Sequence, residues 1–131
     1  ISSRKFRNCS IRNWKGGFKM KHSMKVQPRY YEAIKDGIKQ IELRLYDEKR
    51  KEIKLGDTIE ILKEPDLKER ILVKVIGLLH YESFPMLLRD FDSSILAGPT
   101  VSKEELLRDL EVYYPKEKQA KFGVLGIRFT K

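Results

Sequence analysis

The sequence predicts an α+β fold: about five short strands in a mainly antiparallel sheet that curls into a small barrel, with about three helices on its flanks. Three observations predict it. Residues 39–46 alternate apolar and polar side chains with the period of a half-buried strand. Turn residues at Leu55-Gly56-Asp57 and Glu64-Pro65-Asp66 separate strand candidates too closely for helical crossovers, so neighbours run antiparallel. Helical spacing recurs at residues 28–36, 84–90 and 102–113. Closing such a sheet removes its exposed edges.

Met24-Lys25-Val26-Gln27 is the first strand candidate, and Pro28 suits the first turn of the helix that follows. Tyr30, Tyr31, Ile34 and Ile38 supply its apolar side, and Asp36-Gly37 ends it with a residue free to turn left-handed. In the strand Lys39–Tyr46, Ile41, Leu43 and Leu45 share one face and Glu42 and Arg44 the other. Lys39 has the wrong parity to join them unless the chain bends after Gly37. As a bare pattern this is also what a solvated strand face with an ion pair looks like.

Asp47–Glu52 is a mixed charge run that predicts a solvated loop, its Lys49-Arg50-Lys51 able to meet phosphate. Thr58–Leu62 and Ile71–His80 are strands, the second favoured by Val73, Val75 and Ile76. A short helix begins at Phe84-Pro85, and residues 90–100 read as a loop. Ser102-Lys103-Glu104-Glu105 is a capping box, Ser102 accepting from the third helical amide and Glu105 reaching back. Leu106, Leu107 and Leu110 form that helix's apolar stripe, and Tyr113-Tyr114-Pro115 closes it. Val124–Phe129 is the last strand.

A chain of 131 residues makes one domain with a modest core. No apolar run reaches the length of a membrane-spanning helix. One cysteine, Cys9, excludes an internal disulfide framework and suits a cytoplasmic protein. With His22 and His80 far apart, neither a metal site nor a cofactor is expected. A monomer is expected.

The net charge of +9 points toward nucleic acid until it is divided along the chain. Residues 1–19 hold six of the 28 basic residues and no acid, leaving 22 bases against all 19 acids for the remainder, a surplus of three. Residues 1–23 therefore read as a basic leader outside the domain, which spans residues 24–131. As a functional segment it would be an arm that folds on nucleic acid. However, Lys15–Met20 back-translates to a purine-rich ribosome-binding sequence ahead of an ATG. That predicts a bacterial protein starting at Met20 or Met24, with residues 1–19 an untranslated stretch read in frame.

Taken in order, Gly37-x-Lys39-x-x-Glu42-x-Arg44, Leu55-Gly56-Asp57, Tyr81-x-x-Phe84, Ser102-x-Glu104-Glu105, Tyr114-Pro115 and Gly123-Val124-Leu125-x-Ile127 resemble the ASCH domain. This is a small β-barrel family related to the RNA-binding PUA domains, and the resemblance covers residues 24–129. It implies a PUA-like barrel whose mouth is a cleft lined by the Gly37–Arg44 segment, with RNA or a modified nucleoside as ligand. Lys39 would then meet a phosphate or a developing oxyanion, and Arg44 a phosphate or base edge. Glu42 would accept from an exocyclic amine or hold Arg44, while Tyr46 and Tyr81 would offer stacking faces.

One branch of the family hydrolyses the amide of N4-acetylcytidine with a Lys, a Thr three residues later and a distant Glu. Lys39 matches that Lys, but Glu42 stands at the Thr position and no carboxylate lies near Pro99-Thr100, so that chemistry is not expected. Other members are reported to cleave RNA without a metal. In that alternative Glu42 is a general base, Arg44 holds phosphate and Lys39 stabilises charge.

Overall fold

The computed structural model describes residues 20–131. The expectation of a leader at residues 1–19 falls outside the described residues. The elements are β1 (Lys21–Val26), α1 (Pro28–Lys35), β2 (Ile41–Leu45), α2 (Glu48–Lys51), β3 (Thr58–Lys63), β4 (Arg70–Tyr81), α3 (Phe84–Arg89), α4 (Ser93–Ala97), α5 (Lys103–Tyr113), α6 (Lys116–Phe122) and β5 (Val124–Thr130). The strands form one sheet in the order β1-β3-β4-β5-β2, so β1 and β2 are its two edges. Three pairings are antiparallel, as expected, and β1 with β3 is parallel. The chain between those two strands passes through α1, β2 and α2, long enough to return in the same direction.

The sheet curls into a half-barrel because β4 serves both of its sides. Its first half pairs with β3 and its second with β5, and the register shifts between Val75 and Gly77 where the strand bends. Met24, Val26, Ile34, Ile59, Val73, Leu125 and Ile127 fill the inside of the curl. A second core lies on the outside of β2 and β5, where Ile41, Leu43 and Leu45 pack with Phe84, Leu87 and Leu96. Burying each large aliphatic side chain contributes about 1.5–3 kcal/mol. Gly126 is the contact point, since a Cβ there would lie 3.2 Å from Leu87 Cδ1 and 3.3 Å from Ile41 Cγ2.

Several boundaries differ from expectation. The first strand begins at Lys21, not Met24, so residues 21–23 are part of the sheet. The reason is Asp57, buried at the β3 entry, which accepts from Met20 N at 3.1 Å and Lys54 N at 2.9 Å and contacts His22 Nε2 at 2.8 Å. Lys39 and Gln40 precede β2: Gly37 turns left-handed at φ 81°, and the Ile38 and Lys39 amides both donate to the Ala33 carbonyl. The expected bend after Gly37 is therefore present.

The three expected helices form, together with three that the sequence pattern missed. The 47–52 charge run holds one turn, α2, because the Asp47 side chain accepts from Arg50 N at 3.1 Å. The 90–100 loop contains α4. After Pro115, α6 has no apolar stripe and is held by buried Gln119, which accepts from Phe84 N and donates to the Tyr114 carbonyl. At α5, Ser102 caps Glu105 N as expected at 3.1 Å, but the Glu105 carboxylate goes to Arg29 at 3.0 Å rather than back to its own helix.

Candidate functional site

Glu42 and Arg44 are paired in register with Ile127 and Leu125, so both point to the inside of the half-barrel. Their alternates on β2 face the second core, and neither side of this strand is a solvated surface. Glu42 is 7% exposed and Lys39 only 3%. The bend after Gly37 brings Lys39 around so that its ammonium meets the Ile41 carbonyl at 2.6 Å, the Leu96 carbonyl at 2.5 Å and Glu42 Oε1 at 3.2 Å.

Two main-chain carbonyls take two of the ammonium protons, and Glu42 pairs with the charge. Lys39 is therefore a post that ties α4 to the start of β2, buried and committed to two carbonyls and Glu42. Glu42 Oε2 accepts from Arg44 Nε at 2.9 Å and Nη2 at 2.7 Å. Arg44 Nη2 also donates to the Lys25 carbonyl at 2.8 Å, crossing the seam between the edge strands β2 and β1. The Arg44 bonds to Glu42 and Lys25 come from Nε and Nη2, not Nη1, and the Tyr114 side chain lies beside the guanidinium and helps hold its charge.

The electrostatics follow from burial against pairing. Burial pushes the Glu42 carboxyl up, but Lys39 and Arg44 together outweigh it and hold the group below the usual carboxylate range. Burial lowers the Lys39 ammonium, with Glu42 opposing the fall. Burial works against the Arg44 charge as well, yet Glu42 and Tyr114 raise it overall.

The triad forms one wall of a pocket of about 310 Å³ over the seam. Lys25, Val26 and Gln27 at the end of β1, Glu42 to Arg44 on β2, Tyr30 on α1, and Leu106, Asp109, Leu110, Tyr113 and Tyr114 along α5 enclose it. The helices are clasped over it. Asp109 accepts from Tyr30 Oη at 2.7 Å and from Arg29, and Gln27 donates to the Tyr113 hydroxyl at 3.3 Å.

Of the expected site residues, Lys39, Glu42 and Arg44 come together, whereas Tyr46 and Tyr81 lie elsewhere. The Tyr46 ring sits edge-on to His80 with centroids 4.6 Å apart. Tyr81 donates to Asp90 at 2.5 Å beside a separate depression near Ser83 and Gln119. Neither lines the pocket over the seam. Tyr30, Tyr113 and Tyr114 line it instead, and sequence reasoning had assigned them to a helix stripe and a helix end.

A known protein family has a sequence pattern that matches residues 24–131 of this chain. The chain belongs to the ASCH domain family. ASCH domains are generally associated with RNA binding. Among solved structures, the chain is similar to the crystal structure of hypothetical protein PH0355, at 38% identity, a TM-score of 0.71, and coverage of 84% of this chain and 97% of that one. It is also similar to the solution structure of protein PF0455 from Pyrococcus furiosus, at 35% identity, a TM-score of 0.65, and coverage of 84% and 96%. None of the curated proteins matches. Among the described residues of this ASCH domain, no helix is long and apolar enough to cross a membrane, and no group of His, Cys, Asp and Glu side chains has a metal-binding arrangement.

Proposed function

We propose that this ASCH protein binds single-stranded RNA or a nucleotide in the pocket over the β1–β2 seam, as a binding module that leaves its ligand intact. The observation that carries this reading is the state of Arg44. Its guanidinium is fixed by Glu42 and the Lys25 carbonyl, with Nη1 outside those bonds in a pocket walled by three tyrosines. A held fork with one edge outside those bonds is suited to an acceptor on a planar ligand, and tyrosine faces suit a stacked base. Duplex bases are already stacked and paired, so the unpaired strand is the form that fits.

The alternative keeps the same residues and makes them a metal-independent hydrolase of RNA or a modified nucleoside. Two features argue against it. A carboxylate held below its ordinary range by two cations is a weak general base, which is the wrong direction for Glu42 in that role. Lys39 is buried, bonded to two main-chain carbonyls and paired with Glu42, which fits a structural post better than a catalytic group.

The reading is tested by titrating the protein into a labelled single-stranded oligoribonucleotide of about six nucleotides and into its duplex. Saturable binding of the single strand, several-fold tighter than the duplex and with no cleavage on long incubation, is the expected result. Equal affinity for both forms, or metal-independent cleavage abolished by Glu42→Gln, would overturn it.

A further inference from the structure

The register of β2 on β5 determines which main-chain groups face the seam. Phe129 N donates to the Gln40 carbonyl at 3.1 Å and Tyr46 N to the Gly123 carbonyl at 3.0 Å, so the alternate pairs Glu42↔Ile127 and Arg44↔Leu125 are the hydrogen-bonded ones. Ile41, Leu43 and Leu45 fall on the non-bonded pairs, and their N–H and C=O groups point away from β5, toward the open seam. The Ile41 carbonyl confirms the direction, because it accepts from Lys39 Nζ at 2.6 Å.

Leu43 lines the pocket, and its N–H and C=O take no part in the ladder with β5, the one strand that pairs with β2. This is no solvent-washed edge, since Leu43 is only 4% exposed. Buried peptide groups are paired in the great majority of cases, and leaving one unmade is costly. A donor and an acceptor from one residue, turned away from the ladder and side by side in a pocket wall that Arg44 also lines, are a recognition edge.

We infer that the pocket's occupant pairs edge-on with the Leu43 main chain. The ligand is then a planar heterocycle with a donor beside an acceptor on one edge: a nucleobase read at its Watson–Crick edge. This rests on the pocket reading above and names what enters the pocket. Two other occupants fit less well. An added peptide strand needs alternate residues along β2, but the Ile41 carbonyl is taken and α5 closes the pocket with Leu106 and Leu110. A phosphate uses donors only, and here it would face the Leu43 carbonyl together with the carboxylates of Glu42, Glu64 and Asp109.

The test follows the Leu43 amide in nitrogen–proton correlation spectra of the full chain. The ligands are the four ribonucleoside monophosphates, their counterparts N-methylated on the Watson–Crick edge, and ribose 5-phosphate. At least one unmodified nucleotide should shift the Leu43 amide proton downfield and slow its exchange with solvent about tenfold. Its methylated counterpart and the bare ribose phosphate should do neither. An amide-to-ester replacement at Leu43, which deletes the donor and keeps the side chain, should weaken that nucleotide by about tenfold.

If nucleotides shift Tyr113, Tyr114 and Arg44 while Leu43 stays unmoved, and methylation makes no difference, this inference falls and the pocket reading survives. If ribose phosphate alone moves Leu43 as strongly, the site reads phosphate and the inference is wrong. Failure of every ligand and of single-stranded RNA to perturb any pocket residue removes both.

Discussion

Arg44 on one edge strand donates to the main-chain carbonyl of Lys25 on the other, 2.8 Å away, and so bridges the seam that the backbone ladder leaves open. The same guanidinium is gripped by Glu42, and Glu42 by Lys39. One side chain thus closes the half-barrel and presents a donor to the pocket beneath α5. Such a coupling makes the triad matter for stability and for recognition at once, and the two roles separate by mutation.

Lys39→Met keeps the length of the side chain but leaves Glu42 with one cation and orphans the Ile41 and Leu96 carbonyls. Breaking a buried ion-pair network by removing one partner costs about 3–5 kcal/mol. Urea denaturation should show a loss of this size. A change under about 1 kcal/mol would mean that Lys39 is not the post described here.

Tyr113 offers the converse test. It is 61% exposed, so Tyr113→Ala should leave the denaturation midpoint nearly unchanged. If its ring carries a stacked base, affinity for single-stranded RNA should fall by about 1–3 kcal/mol. An unchanged binding curve would take Tyr113 out of the site.

The pH dependence has a definite sign. Glu42 titrates below its ordinary range in the folded protein, as does Asp57, where burial is outweighed by His22 and the Lys54 and Met20 amides. A carboxyl whose folded pKa is depressed stabilises the fold above its unfolded pKa of about 4 and loses that contribution as pH falls toward the folded value. Stability should therefore decline as pH drops below about 4, and Glu42→Gln should be less stable at neutral pH with a shallower acid limb. An acid limb equally steep in the variant would show that Glu42 is not depressed.

The legible part of this fold was the part written in periodicity. Ile41, Leu43 and Leu45 disclosed β2, Pro28 and Asp36-Gly37 bounded α1, and the Ser102 cap located α5. What stayed hidden is held by single polar contacts rather than apolar stripes. Asp57 captures Met20 and His22 and so extends β1, the Asp47 cap makes a helix of a charge run, and buried Gln119 anchors α6. At the site, the spacing of Lys39, Glu42 and Arg44 was readable, and Gly37 flagged the bend that unites them. The roles were not, because the acceptors that consume Lys39 are main-chain carbonyls with no signature in sequence. Tyr30, Tyr113 and Tyr114 reach the pocket only because α1 and α5 cross the seam, a tertiary fact. Tyr46 and Tyr81 sat closer in sequence to the motif and to the strand ends, yet the sheet carries both away.

The central claim is that Arg44 presents a recognition donor in this pocket, and comparing Arg44→Ala with Lys103→Ala in titrations of single-stranded RNA tests it most directly. Lys103 opens α5 away from the pocket lining and serves as the charge-matched control. At a temperature where thermal melts show both variants folded, Arg44→Ala should weaken binding by about 1–3 kcal/mol, roughly 5- to 150-fold, and Lys103→Ala should match the parent. Superimposable curves for the two variants would contradict the account.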